Sequence, residues 1–257
     1  TSYNPADSAI EEMSTAPSGD AAKHLIDFDA DFPYQIRVNR TQNYVIIYGI
    51  DKNGRYSIPY KGFMCSVGKD VKDTPTGSFK TSDYYPWRLM VDGSYAQYAI
   101  RINGSIMLHS IPYYSAHNDD LESEEYNKLG SNASLGCVRL NINGIKWIYD
   151  NCPKGTPVTI YDSDSEVPPV KIKKVKKIDL NDKRANWDPT DPVAGNPWKD
   201  GEETDESEEY MEYPSETTSN KNNLETTSKN NSETTSKVKD KSVSKTTSKK
   251  DLETTTK

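Results

Sequence analysis

Long apolar runs are missing from this chain. No stretch approaches the roughly 18 consecutive apolar residues that a membrane-spanning helix needs. Cysteine is scarce, with three in 257 residues, too few for a fold stapled by disulfides. Positive charge is not in excess: the formal net charge of −7 carries no whole-chain signature of nucleic-acid binding. Hydrophobic residues, Tyr included, make up only 33% of the chain, less than an average globular domain carries. These shortages exclude a membrane-helix protein and a disulfide miniprotein. They leave an ordinary core diluted by a polar remainder.

Most of the dilution lies at the C-terminal end. From Gly201 onward the chain has no Trp, Phe, Ile or Cys, and ETTS recurs at Glu216, Glu225 and Glu233 at irregular spacing. Such a stretch cannot bury enough surface to offset the entropy of ordering it, so 201–257 reads as a low-complexity, disordered tail. Its first part is acidic and its last part Lys-rich. That division suits a solvated tether or, as the functional alternative, an anchor to an anionic polymer. Residues 1–31 are largely Ser-, Ala- and Pro-rich and read as a loose segment. With no initiator Met and no visible secretion signal, the chain reads as a processed or truncated product.

Between Phe32 and Asp162 the pattern turns β-rich. Tyr34 to Val38, Asn43 to Tyr48, Tyr60 to Val67, Tyr95 to Ile102, Ser105 to His109 and Val158 to Tyr161 read as short strands. Asn53-Gly54 and Asn103-Gly104 supply hairpin turns. One segment has helical spacing, with apolar residues at 142, 145, 148/149 and 152, Asn141 as N-cap and Gly155 as stop. The expectation is a mainly β domain over 32–165, an antiparallel sandwich or barrel, with a short helix after Cys137. A basic, then Pro- and Trp-rich extension over 166–200 is expected to run along the surface without forming a second core.

The segment richest in chemistry is Ser134-Leu135-Gly136-Cys137-Val138-Arg139-Leu140. A Cys between a Gly and a helix start can have a lowered thiol pKa, and neighbouring amides can donate to an oxyanion. An Arg two residues on can pair with a carboxylate. A lone Cys is more often a small buried hydrophobe, but that leaves the flanking Gly and Arg unexplained. Of the three His, His24 lies in the loose N-terminal segment, His109 ends an apolar strand and His117 sits in a polar loop. Cys65 and Cys152 read as core residues, and no Cys/His spacing matches a zinc site.

At these residues the sequence resembles the L,D-transpeptidases of bacterial cell walls, of the YkuD type. Leu108-His109-Ser110 is similar to the family's strand-end His. Ser134-Leu135-Gly136-Cys137-Val138-Arg139 is similar to its Ser-His-Gly-Cys-x-Arg/Asn. Cys65 to Gly68, Thr74 to Phe79 and Lys154 to Val158 resemble further blocks, in the same order. The family's His before Gly-Cys is Leu135 here, and the 28 residues from His109 to Cys137 are a longer interval than many members have. The excess, Tyr114 to Asn132, is acidic and reads as an enlarged lid.

The resemblance implies a cysteine transpeptidase that forms 3→3 peptidoglycan cross-links from stem tetrapeptides. Cys137 would be the nucleophile and His109 the base, with His117 as its competitor. The Ser110 carbonyl would orient the His109 ring, and the amides near Leu135, Gly136 and Cys137 would hold the oxyanion. Arg139, Ser134, Tyr95 and Tyr98 would contact substrate, Arg139 either through the donor's carboxylate or by ordering the Cys loop. No metal or organic cofactor is implied and no nucleic acid. The implied partners are stem peptides and carbapenem-type β-lactams, and the implied location is the bacterial cell wall or surface. The alternatives are an L,D-carboxypeptidase or endopeptidase, a protein-to-peptidoglycan attachment enzyme, and a non-catalytic wall-binding module.

Overall fold

The computed structural model describes residues 17–199 and 208–213. Among these residues, strands form two sheets. The first holds β1 (Tyr34–Asn39), β2 (Tyr44–Ile50), β3 (Tyr56–Met64), β4 (Gly77–Lys80) and β9 (Pro157–Tyr161), in the order β3-β2-β1-β9-β4. The second holds β5 (Tyr84–Leu89), β6 (Tyr95–Asn103), β7 (Ile106–Ser110) and β8 (Val138–Leu140), in the order β5-β6-β7-β8. Two α-helices follow β7, α1 (Ser123–Tyr126) and α2 (Ile142–Asn151). The mainly β reading holds, with a short helix after Cys137.

One main core joins both sheets and α2. Ile36 and Val38 of β1, Val45 and Ile47 of β2, Ile100 and Ile102 of β6, and Leu108 of β7 meet Ile142, Ile145 and Ile148 of α2. The alternation of each strand sends one set of side chains inward. The 3.6-residue period of α2 does the same. Burying each Ile or Leu contributes roughly 1.5–3 kcal/mol. β2 is apolar on both faces because its second face, Tyr44 and Ile46, packs under Val170 and Ile172 of the extension. Gly62 makes room there, since a Cβ would lie 2.8 Å from Ile172 and 2.9 Å from Val170.

The strand pairing is mixed, where the sequence pattern suggested antiparallel. β1 pairs parallel with β9, and β7 pairs parallel with β8. A parallel pair cannot be closed by a hairpin and needs a crossover of a dozen or more residues. The long interval between His109 and Cys137 is that crossover. It is not a loose lid: Tyr113, Leu121 and Tyr126 within it are 2% exposed or less and belong to the main core.

The two flanking segments also depart from expectation. Gly19–Leu25 forms a 3-10 helix, and Ala22 and Ile26 are buried in the core. The loose reading of 1–31 therefore fails for its described part. The 166–200 extension contributes Val170 and Ile172 to a second small cluster with Tyr44 and Ile46, and Ile178 and Ala185 to the main core. Asp188, buried in this extension, accepts the Ile142 N–H at 2.8 Å, and Thr190 Oγ1 accepts that of Asn143 at 3.0 Å. Together they satisfy two of the donors that a helix N-terminus leaves open. Within the tail, 208–213 pairs with the extension: Met211 N–H donates to the Ile172 carbonyl at 2.9 Å. The remainder of the disordered-tail reading lies outside the described residues.

Candidate active site

The parallel β7–β8 register sets His109 opposite Arg139, with Leu108 opposite Val138 and Ser110 opposite Leu140. Leu108, Val138 and Leu140 point into the main core. By alternation, His109 and Arg139 take the other face. One pair further back, Cys137 comes beside Met107. Both pack there with Ala96 and Ala99 of β6. Cys137 and His109 are thus diagonal neighbours on one face of two adjacent strands. Small side chains on β6 form part of the floor.

His109 is 2% exposed. Its Nδ1 lies 2.5 Å from the Ser110 carbonyl oxygen. Ser110 is itself held, since its Oγ accepts the Gln97 N–H at 2.8 Å and donates to the Ile111 carbonyl at 2.7 Å. A carbonyl can only accept, so Nδ1 carries the proton and Nε2 keeps a lone pair. Burial pushes the His109 pKa down to about 3, and the charge of Arg139 adds to that. The ring is therefore neutral at ordinary pH.

Cys137 is half-buried, and burial raises its thiol pKa. The Met107 N–H and the Arg139 charge oppose that rise without cancelling it. The expected helix-start activation is absent because β8 separates Cys137 from α2. Helix-dipole effects fade beyond the first turn. The resting pair is a neutral thiol and a neutral imidazole. Cys65 and Cys152 are buried core thiols, the latter pushed up to about 12.

The loop before Cys137 is clamped from several sides. Thr74, fully buried, accepts the Gly68 N–H at 2.9 Å and donates to the Gly136 carbonyl at 2.8 Å. Gly136 has φ +121°, and a Cβ there would lie 2.5 Å from the Asp73 carbonyl oxygen. Ser134 Oγ accepts the Gly136 N–H at 3.0 Å and donates to the Cys137 carbonyl at 2.6 Å. Two expectations change as a result. Ser134 staples the loop, with its hydroxyl engaged internally. The Gly136 amide is occupied and is not an open oxyanion donor. Leu135 projects outward and is 64% exposed.

Arg139 is 7% exposed, and its Nη1 donates to Glu125 Oε2 at 2.7 Å. Glu125 also pairs with Lys128. Arg139 Nε is buried with no hydrogen-bond partner. The carboxylate that Arg139 was expected to find in substrate is supplied here by the crossover. Asp92, in the β5–β6 turn, contributes a charge felt by both His109 and Cys137. Sequence reasoning missed Asp92, because nothing in a turn sequence tells which site it will face.

Tyr95 and Tyr98 do not join this face. Tyr98 has φ +52°, an irregularity in β6 that turns its ring toward α2, 5.2 Å from the Tyr149 ring. Tyr95 bridges to Tyr113, and both Tyr95 and Tyr98 pack on the main core. His117 is exposed and bonded to Ser115, and His24 is exposed and bonded to the Ala21 carbonyl. Neither lies on β7 or β8. Among the described residues, no three His, Cys, Asp or Glu side chains are placed to hold a metal ion.

Residues 33–160 match the model of the YkuD L,D-transpeptidase catalytic domain. Over these residues the chain carries a YkuD-type domain. Over 104 residues it is 33% identical to YciB of Bacillus subtilis (strain 168), itself provisionally assigned as an L,D-transpeptidase. That match covers 38% of this chain and 53% of YciB, so the chain spans about half the length of this curated relative. Solved structures with a similar fold include an L,D-transpeptidase from Mycobacterium smegmatis (17% identity, TM-score 0.40, 51% of this chain and 59% of that one). Another is L,D-transpeptidase 3 from Mycobacterium tuberculosis with a faropenem-derived adduct (18%, 0.41, 51% and 61%).

Proposed function

We propose that the domain is an L,D-transpeptidase that forms 3→3 cross-links between peptidoglycan stem peptides at the outer cell surface. The observation that carries this reading is the placing of Cys137 and His109 on one face of adjacent parallel strands, with His109 Nδ1 tied to the Ser110 carbonyl. That contact leaves Nε2 as the basic atom of the ring. The match of 33–160 to an L,D-transpeptidase catalytic domain supports the choice of substrate class.

In this mechanism the Cys137 sulfur attacks the carbonyl between the third residue, a diamino acid, and the fourth, D-Ala. His109 Nε2 takes the thiol proton as the carbon–sulfur bond forms. Because both groups rest neutral, the ion pair exists only while the oxyanion develops. Arg139, buried beside the pair, favours the negative sulfur and oxygen. The amides of Leu135 and Cys137 are the donors assigned to the oxyanion, since that of Gly136 is engaged by Ser134. The intermediate collapses, His109 returns the proton to the amine of D-Ala, and a thioester remains. The side-chain amine of a second stem then attacks the thioester and loses a proton to His109. The new amide forms as the Cys137 thiol is restored.

A β-lactam carbonyl would acylate the same thiol, which makes carbapenems expected covalent inhibitors. The low-complexity tail is assigned to the wall as a tether on composition alone. The experiment is mass spectrometry of products from a purified stem tetrapeptide, with and without a second stem as acceptor. A cross-linked dimer with release of D-Ala is the expected result. Tripeptide alone would mark a carboxypeptidase. Transfer to a protein Lys only would mark an attachment enzyme. No product, and equal wall binding by wild type and Cys137→Ala, would mark a non-catalytic module.

A further inference from the structure

The family match ends at residue 160, yet the extension beyond it is bonded to the crossover that carries Glu125. Asn127 Nδ2 donates to the Ile178 carbonyl at 2.8 Å, and the Ile178 N–H donates to Asn127 Oδ1 at 2.7 Å. Eight residues on, the Leu121 N–H donates to the Asn186 carbonyl at 2.9 Å, and Asn186 Nδ2 donates to the Asp119 carbonyl at 2.6 Å. Asn118 Nδ2 reaches Asp191 at 2.7 Å. The two segments are therefore joined at both ends of 118–127 through Asn118, Asn127 and Asn186. Between those attachments stands Glu125, bonded to the buried Arg139. Ile178 and Ala185 are buried in the core, so the extension is a fixed support.

We propose that residues 178–191 form a strap that holds the 118–127 segment against Arg139, making Glu125 and Asn127 positioning residues for the Cys137–His109 pair. Glu125 offsets part of the Arg139 charge, and the strap keeps it there. Arg139 Nε, buried and unpartnered, then remains as the polar atom on which a substrate carbonyl or carboxylate can form a new bond. The positioning role in acyl transfer rests on the function proposed above. The held geometry does not.

The test is the rate of Cys137 alkylation by iodoacetamide against pH, read by peptide mass in the full chain. The charged and titratable groups bearing on Cys137 are Arg139, Asp92 and Arg101, with His109 on the neighbouring strand. Freeing Arg139 from Glu125 favours the thiolate, so Glu125→Gln lowers the alkylation midpoint and raises the rate at pH 7 by roughly threefold or more. Asn127→Ala and Asn186→Ala, which leave Glu125 intact, move the midpoint in the same direction if the strap acts through the crossover. Profiles that superimpose on wild type, whatever happens to thermal stability, overturn the proposal. Should a strap variant fail to fold, hydrogen exchange of the wild-type chain decides. Leu121 and Ile178 amides exchanging as one unit support the strap, whereas faster exchange throughout 118–127 than at Ile178 contradicts it. Iodoacetamide needs no stem peptide, so the strap can stand where the acyl-transfer reading fails, and the reverse.

Discussion

His109 Nδ1 and the carbonyl oxygen of Ser110, its neighbour in sequence, lie 2.5 Å apart on a strand end buried from solvent. One backbone contact thereby selects the tautomer, and burial keeps the ring neutral with a pKa near 3. Both effects come from where β7 ends.

Burying a neutral His has a consequence for stability. Unfolded His109 titrates at its ordinary value of about 6.5, while the folded ring does not protonate until about pH 3. Between those values the unfolded chain binds more protons, so stability is full above about pH 6.5 and falls as pH drops toward 3. His109→Gln removes this loss. The expected outcome is a variant without transferase activity whose melting temperature declines less than wild type from pH 7 to 4. Parallel melting curves across that range would show that His109 is not buried neutral.

Asp188 acts in the opposite sense. Its carboxyl is fully buried and raised to about 6, with burial as the leading cause, above its ordinary 3.8. The folded state holds the proton longer, so the contribution is most favourable at low pH and is lost as pH rises through about 6. In Asp188→Asn one acceptor oxygen remains for the α2 N-terminus. Relative to wild type, this variant is expected to gain stability between pH 4 and 7, read as the difference in melting temperature at each pH. A difference that stays constant with pH contradicts the assignment.

Gly136 and Thr74 test the clamp on the Cys loop. At φ +121° and 2.5 Å from a backbone oxygen, Gly136→Ala forces the loop to move. Strain of that kind costs of order 1–3 kcal/mol. Thr74→Val strands a buried carbonyl and a buried N–H, at about 1–3 kcal/mol each. Chemical denaturation should show both losses. Acylation of Cys137 by a carbapenem should slow at least about tenfold in both variants, because small displacements of a reacting atom are costly. Destabilisation with an unchanged acylation rate would mean that the clamp supports the fold alone.

The legible part of this molecule was the part with periodic burial. β1 alternates around Ile36 and Val38, β2, β6 and β7 are short apolar runs bounded by turns, and Asn141 and the 3.6-residue spacing mark α2. β5 escaped notice because it is an edge strand interrupted by Pro86 with no fully buried side chain. β8 is three residues long and was read only as the Cys motif. Tyr98 lies on an irregularity that no alternation rule foresees, which is why its ring was assigned to the wrong face. Thiol activation was misjudged for a similar local reason: three strand residues and Asn141 stand between Cys137 and α2. The contacts of Asn127, Asn186 and Asp188 depend on chain segments far apart in sequence, and composition alone suggested only a surface extension.

The central claim is that Cys137 carries the acyl group. The most direct measurement is the intact mass of the protein, acid-quenched within seconds of mixing with a stem tetrapeptide and without acceptor. Wild type is expected to carry an adduct equal to the tetrapeptide less D-Ala, mapped to Cys137, and Cys137→Ala none. An adduct on another residue, or D-Ala release by Cys137→Ala at the wild-type rate, would contradict it.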